Sequence, residues 1–362
     1  MKISFNSTIF SQEKTGGISR YFICLMKGLI ENNINIEIVS FLHKNIFLKS
    51  FSKKQSIGYY LSNYPLFELI EKLNTYKFNQ YNKKNSVDII HDTYYTLNIK
   101  KVKNIKKVIT VHDLIHEKFS TLYRDSNYLI NLKKKSFEDT DYFICVSENT
   151  KKDLIEYYNI KSDKISVVYH GADHLLNTNL KSKNEINFPY LLFVGNRERY
   201  KNFNLVLKAF SKSIKIKNNF KLICFGGGKF NKREIKLINE LNLSKNILFR
   251  SGNDQSLCDF YINAKAIIIP SLYEGFGLPI IEAMRLNCPI FCSNIDVFRE
   301  IAGSYVTYFN PTSEEDLIFQ LENKIFNDNE LKNLTFKAFE VSKKFNWQKN
   351  TNDTIKIYKK LI

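Results

Sequence analysis

Short apolar runs alternate with longer amphipathic stretches along most of this chain. Runs of this kind, rich in Ile, Val, Phe and Tyr and bounded by polar residues, predict strands. The stretches between them predict crossover helices, and together they describe parallel sheets. In the first half the strands read as Lys2–Phe5, Ile34–Phe41, Val87–His91, Lys107–His112, Tyr142–Ser147 and Ile165–His170, with helices over Ile18–Glu31 and Glu148–Tyr158. A second series places strands at Tyr190–Val194, Phe220–Phe225, Ile247–Arg250, Ala266–Ile269, Pro289–Ser293 and Val306–Phe309. Its helices fall near Asn204–Ile216, Lys232–Leu241, Ser256–Ala264 and Pro279–Leu286. From Ser313 onward the pattern is helical throughout.

The polar stretch LKSKNEINF separates the two series and has the composition of an interdomain linker. At 362 residues the chain also exceeds what one hydrophobic core usually supports. The expected architecture is therefore α/β, with two Rossmann-like parallel-sheet domains facing across a cleft. The first takes residues 1–183 and the second residues 184–345, and a helix over 346–362 packs back on the first domain. Open sheets of this kind bind ligands beyond the carboxyl ends of their strands, so the residues just after strands are where chemistry belongs.

Composition narrows the classes. Hydrophobic residues make up 44% and charged residues 25%, a globular balance that excludes a disordered chain. The net charge of +18 favours anionic partners: nucleotide phosphates, nucleic acid or an anionic membrane face. Because the Lys residues travel with many Asn and Ile residues, a compositional bias of the source genome accounts for the surplus equally well. Six cysteines (Cys24, Cys145, Cys224, Cys258, Cys288, Cys292) lie mostly inside apolar runs without a C-x-x-C pair, the pattern of buried free thiols in a reducing compartment. No window approaches the roughly 18 apolar residues of a membrane span, so the expectation is a cytoplasmic protein whose membrane contact, if any, is peripheral at the inner face.

The strongest local signal is PSLYEGFGLPIIEAM, residues 270–284. A buried strand runs into a turn holding Glu274, Gly275, Phe276 and Gly277, and a helix opens at Leu278 and Pro279. The two glycines allow backbone to approach a ligand closely, and the free N–H groups of the helix start form an anion site. Glu274 and Glu282 suit hydrogen bonding to sugar hydroxyls better than contact with phosphate. In FVGNRERYKNFNLVLKAF a strand ends at Gly195, and a basic loop follows with Arg197, Arg199 and Lys201. Cations there can neutralise a diphosphate as negative charge develops on a leaving group. Near the N-terminus, KTGGISRYF puts Gly16, Gly17 and Arg20 after the first strand, and ITVHDLIHEKF puts His112 and Asp113 at the end of another. His91 ends a strand too. Asp139-Thr140-Asp141 spells a D-x-D, but it precedes a strand and reads as a solvated turn.

These segments resemble the glycosyltransferases of family 4, which have the GT-B fold. Glu274 and Glu282 match that family's E-x7-E signature, and Gly195 to Lys201 resembles its VG-R-x-x-x-x-K element, although Asn196 stands where the Arg is usual. The resemblance implies that Glu274 contacts hydroxyls of the donor sugar and Glu282 the ribose. It implies that Gly275, Phe276, Gly277 and Leu278 meet sugar and phosphate. Lys201 and Arg197 would bind the pyrophosphate, with Arg199 as the alternative to Arg197, and Gly17 would sit in the N-terminal glycine loop. His112 would lie near the reacting carbon. It further implies transfer with retention of anomeric configuration from a GDP- or UDP-linked sugar, without a metal or other cofactor. The similarity is to mannosyltransferases of bacterial surface-polysaccharide assembly, so GDP-mannose is the leading donor and a glycan or lipid-linked glycan the acceptor. Other GT-B enzymes, such as a nucleotide-sugar epimerase or a phosphorylase, share much of this pattern. A basic nucleic-acid-binding protein would leave the paired glutamates unexplained, and nucleic acid is not an expected partner.

Overall fold

The computed structural model describes residues 1–62, 67–96, 99, 102–175, 186–197 and 199–362. The chain divides into two compact units, Met1–His170 together with Trp347–Ile362, and Gly171–Asn346. The division thus precedes the expected break at 183/184. Residues 171–175 belong with the second unit, where Ala172 N–H donates to the Phe345 carbonyl at 3.4 Å and Cys258 Sγ to the Leu175 carbonyl at 3.5 Å. Residues 180–185 of the expected linker lie outside the described residues.

The first unit is built on seven strands: β1 (Lys2–Asn6), β2 (Asn35–His43), β3 (Ser56–Tyr60), β4 (Ile89–Asp92), β5 (Lys106–Val111), β6 (Tyr142–Cys145) and β7 (Ile165–Val167). All pair in parallel, in the order β3-β2-β1-β4-β5-β6-β7. The second has six: β8 (Tyr190–Val194), β9 (Lys221–Phe225), β10 (Ile247–Arg250), β11 (Ala266–Ile269), β12 (Ile290–Ser293) and β13 (Thr307–Phe309). These too are parallel throughout, in the order β10-β9-β8-β11-β12-β13. Strand order reverses between β1 and β4 in one sheet and between β8 and β11 in the other, so each unit has one switch point at which loops of opposite winding diverge.

Both cores follow from the apolar runs. In the second unit Leu191, Phe193, Leu222, Cys224, Ala266, Ile268, Phe291 and Phe309 line one sheet face, at alternate positions along their strands. They meet Phe203, Val206, Leu207 and Phe210 of the helix Phe203–Lys212, and Leu317 and Leu321 of the helix Glu314–Lys324. The first unit recruits the end of the chain. The helix Trp347–Leu361 buries Trp347, Ile355, Ile357 and Tyr358 in the same cluster as Phe5, Phe22 and Met26. It crosses the helix Gly17–Glu31 so closely that a Cβ on Gly28 would stand 2.2 Å from Thr351 Oγ1, which is why no side chain fits there.

Strand β3 was not expected, nor were the helices Phe67–Lys84 and Ser126–Glu138. No disulfide joins any of the six cysteines, and five of them are buried. Burial pushes the thiols of Cys145, Cys224, Cys288 and Cys292 well above the usual range, which makes them small apolar side chains at neutral pH. Among the described residues no helix is long and apolar enough to cross a membrane.

Candidate active site

The switch point of the second unit gathers most of the expected groups. The loop after β8 carries Arg199–Lys201 as a turn of 3-10 helix, and the loop after β11 carries Ser271 to Gly277. A backbone bond from Leu272 N–H to the Tyr200 carbonyl, 2.8 Å, ties the two loops together. Lys201 Nζ thereby reaches Glu274 Oε1 at 2.5 Å, and Ser271 Oγ donates to the same oxygen at 2.7 Å. The ammonium is 18% exposed and the carboxylate 12%, enough for a ligand to touch both and little enough for their charges to act strongly. Residues 73 apart in sequence are here in contact, and the carboxylate that would read sugar hydroxyls is held by the cation that would bind phosphate.

Gly277 sets the course of the chain from this loop into the helix Leu278–Arg285. It has φ +100°, in the left-handed region, and a Cβ there would approach the Phe298 ring at 2.8 Å. Gly277→Ala is expected to cost about 1–2 kcal/mol for the backbone conformation alone and to displace the glutamate loop. Thermal melting should show the loss, and donor affinity should fall with it. Leu278 and Pro279 open the helix, and Phe276 is buried edge-to-face against Phe345 at 5.9 Å. Glu282, one turn on, is buried at 7% exposure, and its Oε2 accepts from Tyr261 OH at 2.9 Å. Tyr261 was not singled out in the sequence, because nothing in the spacing of DFYINA marks a tyrosine that holds a carboxylate 21 residues later.

Arg197 is placed differently from the expectation. Its Nε donates to Glu234 Oε1 at 2.9 Å, Nη1 to the Gly226 carbonyl at 3.1 Å, and Nη2 to the carbonyls of Gly228 at 2.8 Å and Lys229 at 3.2 Å. The guanidinium also lies 4.9 Å from the Phe230 ring centroid. With its fork filled by carbonyls and a carboxylate, Arg197 braces the triple-glycine loop after β9 against the loop after β8, and Lys201 is the cation directed at Glu274. Arg199 is exposed at the start of the same turn.

The switch point of the first unit holds the other candidates. Gly17 begins the helix Gly17–Glu31, as expected, but its N-terminal end already has an acidic partner. The Glu13 carboxylate accepts from Ser19 N–H at 3.2 Å and lies within 2.2 Å of where a Cβ on Gly16 would be. Burial raises the Glu13 carboxyl, against the pull of Ser19. His91 is a core residue: Nδ1 meets Tyr358 OH at 2.5 Å and Nε2 meets Thr110 Oγ1 at 2.9 Å, fastening the last helix to β4 and β5. His112, just past β5, stacks edge-on against Tyr21, its ring 5.1 Å away, and its buried Nε2 has no hydrogen-bond partner among the described residues. That is the state of a ring nitrogen waiting for a ligand hydroxyl. In the Asp139-Thr140-Asp141 turn, Asp141 Oδ2 accepts from Lys107 N–H at 2.9 Å, a structural use. Among the described residues no group of three His, Cys, Asp or Glu side chains is placed to hold a metal ion.

Burial lowers the His112 pKa to about 4, so the ring is neutral at pH 7. The unfolded chain, with a His near 6.5, binds that proton first, and stability therefore falls as pH drops from about 6.5 towards 4. His112→Gln should remove this contribution. Denaturant titrations between pH 6 and 4.5 are expected to show a slope smaller than that of the wild type by about 1.4 kcal/mol per pH unit.

Two parallel sheets of this strand order are the architecture of the GT-B fold. Residues 15–174 match the family model described as Glycosyltransferase Family 4, and residues 177–341 match Glycosyl transferases group 1. The chain belongs to the family 4 glycosyltransferases. It is 22% identical over 392 residues to an uncharacterized glycosyltransferase of Methanocaldococcus jannaschii, covering 99% of this chain and 98% of that protein. It is 29% identical over 218 residues to the O-antigen chain mannosyltransferase RfbU of Salmonella typhimurium, covering 60% of each chain. Among solved structures, sucrose-phosphate synthase from Thermosynechococcus elongatus superposes with a TM-score of 0.79 at 20% identity, covering 100% of this chain and 99% of the other. Anabaena HepE in complex with UDP and glucose superposes at 0.77 and 15%, covering 99% of each.

Proposed function

We propose that this chain transfers a hexose from a nucleotide-linked donor to a glycan or lipid-linked glycan acceptor in the assembly of a surface polysaccharide. The observation that carries the reading is the contact of Lys201 with Glu274 at the β8/β11 switch point, 2.5 Å, with Glu282 buried in the helix that follows. Glu274 would bind hydroxyls of the donor sugar, Lys201 its pyrophosphate, and Glu282 the ribose. Leaving-group charge would be stabilised by Lys201 and the N–H groups at the start of the helix Leu278–Arg285.

The neutral His112 ring would hydrogen-bond the sugar near the reacting carbon. We read the transfer as same-face displacement through an oxocarbenium-like state, with the departing phosphate taking the acceptor proton, which would give retention without a metal.

GDP-mannose is the leading donor, supported by the similarity to RfbU, whose name specifies mannosyl transfer. A UDP-sugar is the second reading, favoured by the UDP and glucose bound to HepE. The basic surplus of +18 would suit peripheral contact with an anionic inner membrane face, where lipid-linked acceptors reside.

A thermal-shift series with GDP, UDP, GDP-mannose and UDP-glucose, with and without EDTA, tests the assignment. A donor at 100 times its Kd stabilises by about 2.7 kcal/mol, several degrees for a chain of this size. One nucleotide base should shift the wild type, EDTA should leave that shift intact, and the anomeric proton signal of the product should report retention. Failure of both GDP and UDP compounds to move the transition would end the donor reading.

A further inference from the structure

Tyr261 and Glu282 form a buried phenol–acid pair in the second unit. Tyr261 is 0% exposed and Glu282 7%, and the phenol donates to Glu282 Oε2 at 2.9 Å. Both side chains start from backbone that is held in place. Tyr261 stands on the helix Asp254–Asn263, which Asn253 caps and which is pinned where Tyr190 OH donates to the Phe260 carbonyl at 2.9 Å. Glu282 stands on the helix Leu278–Arg285, whose Ile280, Ile281, Ala283 and Met284 are wholly buried. What this frame leaves free is the last torsion of the glutamate, which is broad and roughly two-fold in an unrestrained side chain.

The phenol removes that freedom. A carboxylate offers about four acceptor positions, and a donor fixed on Oε2 sets the plane in which the others lie. Burial, and then the charge of Glu282, push the Tyr261 phenol well above its usual range, so at neutral pH it is always the donor. Joining two helices does not call for such a pair, since apolar side chains of similar volume would do so without desolvating a charge. A charge kept there and held in one orientation suits a ligand with donors to match, and two adjacent hydroxyls are such a ligand. We infer that Tyr261 is a positioning residue that orients the Glu282 carboxylate toward the vicinal hydroxyls of the donor's ribose, and that the pair makes this chain select ribonucleotide over deoxyribonucleotide donors. The inference rests on the donor reading above, in which Glu282 meets the ribose.

The test is calorimetry with three probes: the nucleoside diphosphate whose base is found by thermal shift, its dideoxy counterpart lacking both ribose hydroxyls, and inorganic pyrophosphate. The wild type should prefer the ribose form by at least about tenfold, because a site built for hydroxyls is left unpaired by the analogue without them. Tyr261→Phe keeps the ring and loses the donor. It should bind the ribose form about tenfold more weakly, and the other two probes as the wild type does. In turnover its donor KM should rise by that factor with kcat within about twofold, the mark of lost uniform binding. Glu282→Gln should lose the same preference, and the double variant should be no weaker than Glu282→Gln alone, since the phenol acts through the carboxylate. Melting curves report whether each variant is folded. If Tyr261→Phe is not, Glu282→Gln, which retains an acceptor for the phenol, carries the test, and an unchanged ribose preference in it overturns the role. The role is also overturned if Tyr261→Phe binds the ribose form as the wild type does, if it weakens all three probes alike, or if the wild type binds both nucleotides equally. A wild type that binds none of the three would sink the donor reading and this role with it.

Discussion

Glu274→Ala is expected to lower the transfer rate by about two to three orders of magnitude while leaving the melting temperature within a few degrees of the wild type. The carboxylate lies in a loop, half-screened by Ser271 and Lys201, so its removal opens no core. What disappears is the carboxylate proposed to read the sugar hydroxyls and the partner that fixes the Lys201 ammonium. Loss of one preorganised electrostatic group of this kind typically costs about 10²–10³ in rate. Lys201→Ala should be similar in size, and the double variant little worse than either single one, because each group positions the other. Steady-state release of nucleoside diphosphate from the donor found by thermal shift measures all three. Rates that fall in proportion for the double variant would mean that the two residues act independently.

A second large effect is expected in the sheet of the first unit. Lys107 Nζ lies 3.1 Å from Asp92 Oδ2, with side chains 4% and 0% exposed, and Asn6 Nδ2 donates to Asp92 Oδ1 at 2.7 Å. The three residues join β5, β4 and β1 beside the switch point of the first unit. Burial raises the Asp92 carboxyl, while Lys107 and then Asn6 pull it back. Lys107→Ala strands that carboxylate, which should cost about 3–5 kcal/mol in urea denaturation at pH 7. The sign with pH follows from the same charge. In the variant the folded-state pKa of Asp92 rises further above the unfolded value near 3.9, so the deficit is smallest below that pH and grows as pH rises towards the folded value. The double variant Lys107→Met with Asp92→Leu should recover much of the loss, since an apolar pair of similar volume escapes the desolvation penalty.

The strands read from the apolar pattern are present because a buried parallel strand must be apolar on both faces, and such runs stand out. β3 escaped for the opposite reason. SIGYY lies at the sheet edge with Tyr59 70% exposed, so no burial imposes a pattern on it. The helices Phe67–Lys84 and Ser126–Glu138 were hidden by their own composition. FELIEKLNTYKFNQYNKK is crowded with Asn and Lys, and its buried positions include Asn74 and Asn82 beside Ile70 and Phe78. At the site, Glu274, Glu282 and Lys201 were visible as spacing around glycines. The destination of Arg197 was not, because it depends on Glu234 and on carbonyls of the loop after β9, some thirty residues away. The same holds for Glu13 at the start of the helix Gly17–Glu31: local patterns announce which groups are polar, and only the closed fold decides which of them is already satisfied.

The helix Trp347–Leu361 has a consequence for the order in which the protein is made. The strands of the first sheet are made before those of the second, yet the cluster around Phe5, Phe22 and His91 stays without Trp347 and Tyr358 until the helix Trp347–Leu361 has left the exit tunnel. Gly171–Asn346 is contiguous and can close as soon as it is synthesised. The first unit therefore closes after the second, and until then its apolar face stays unsealed, open to a chaperone.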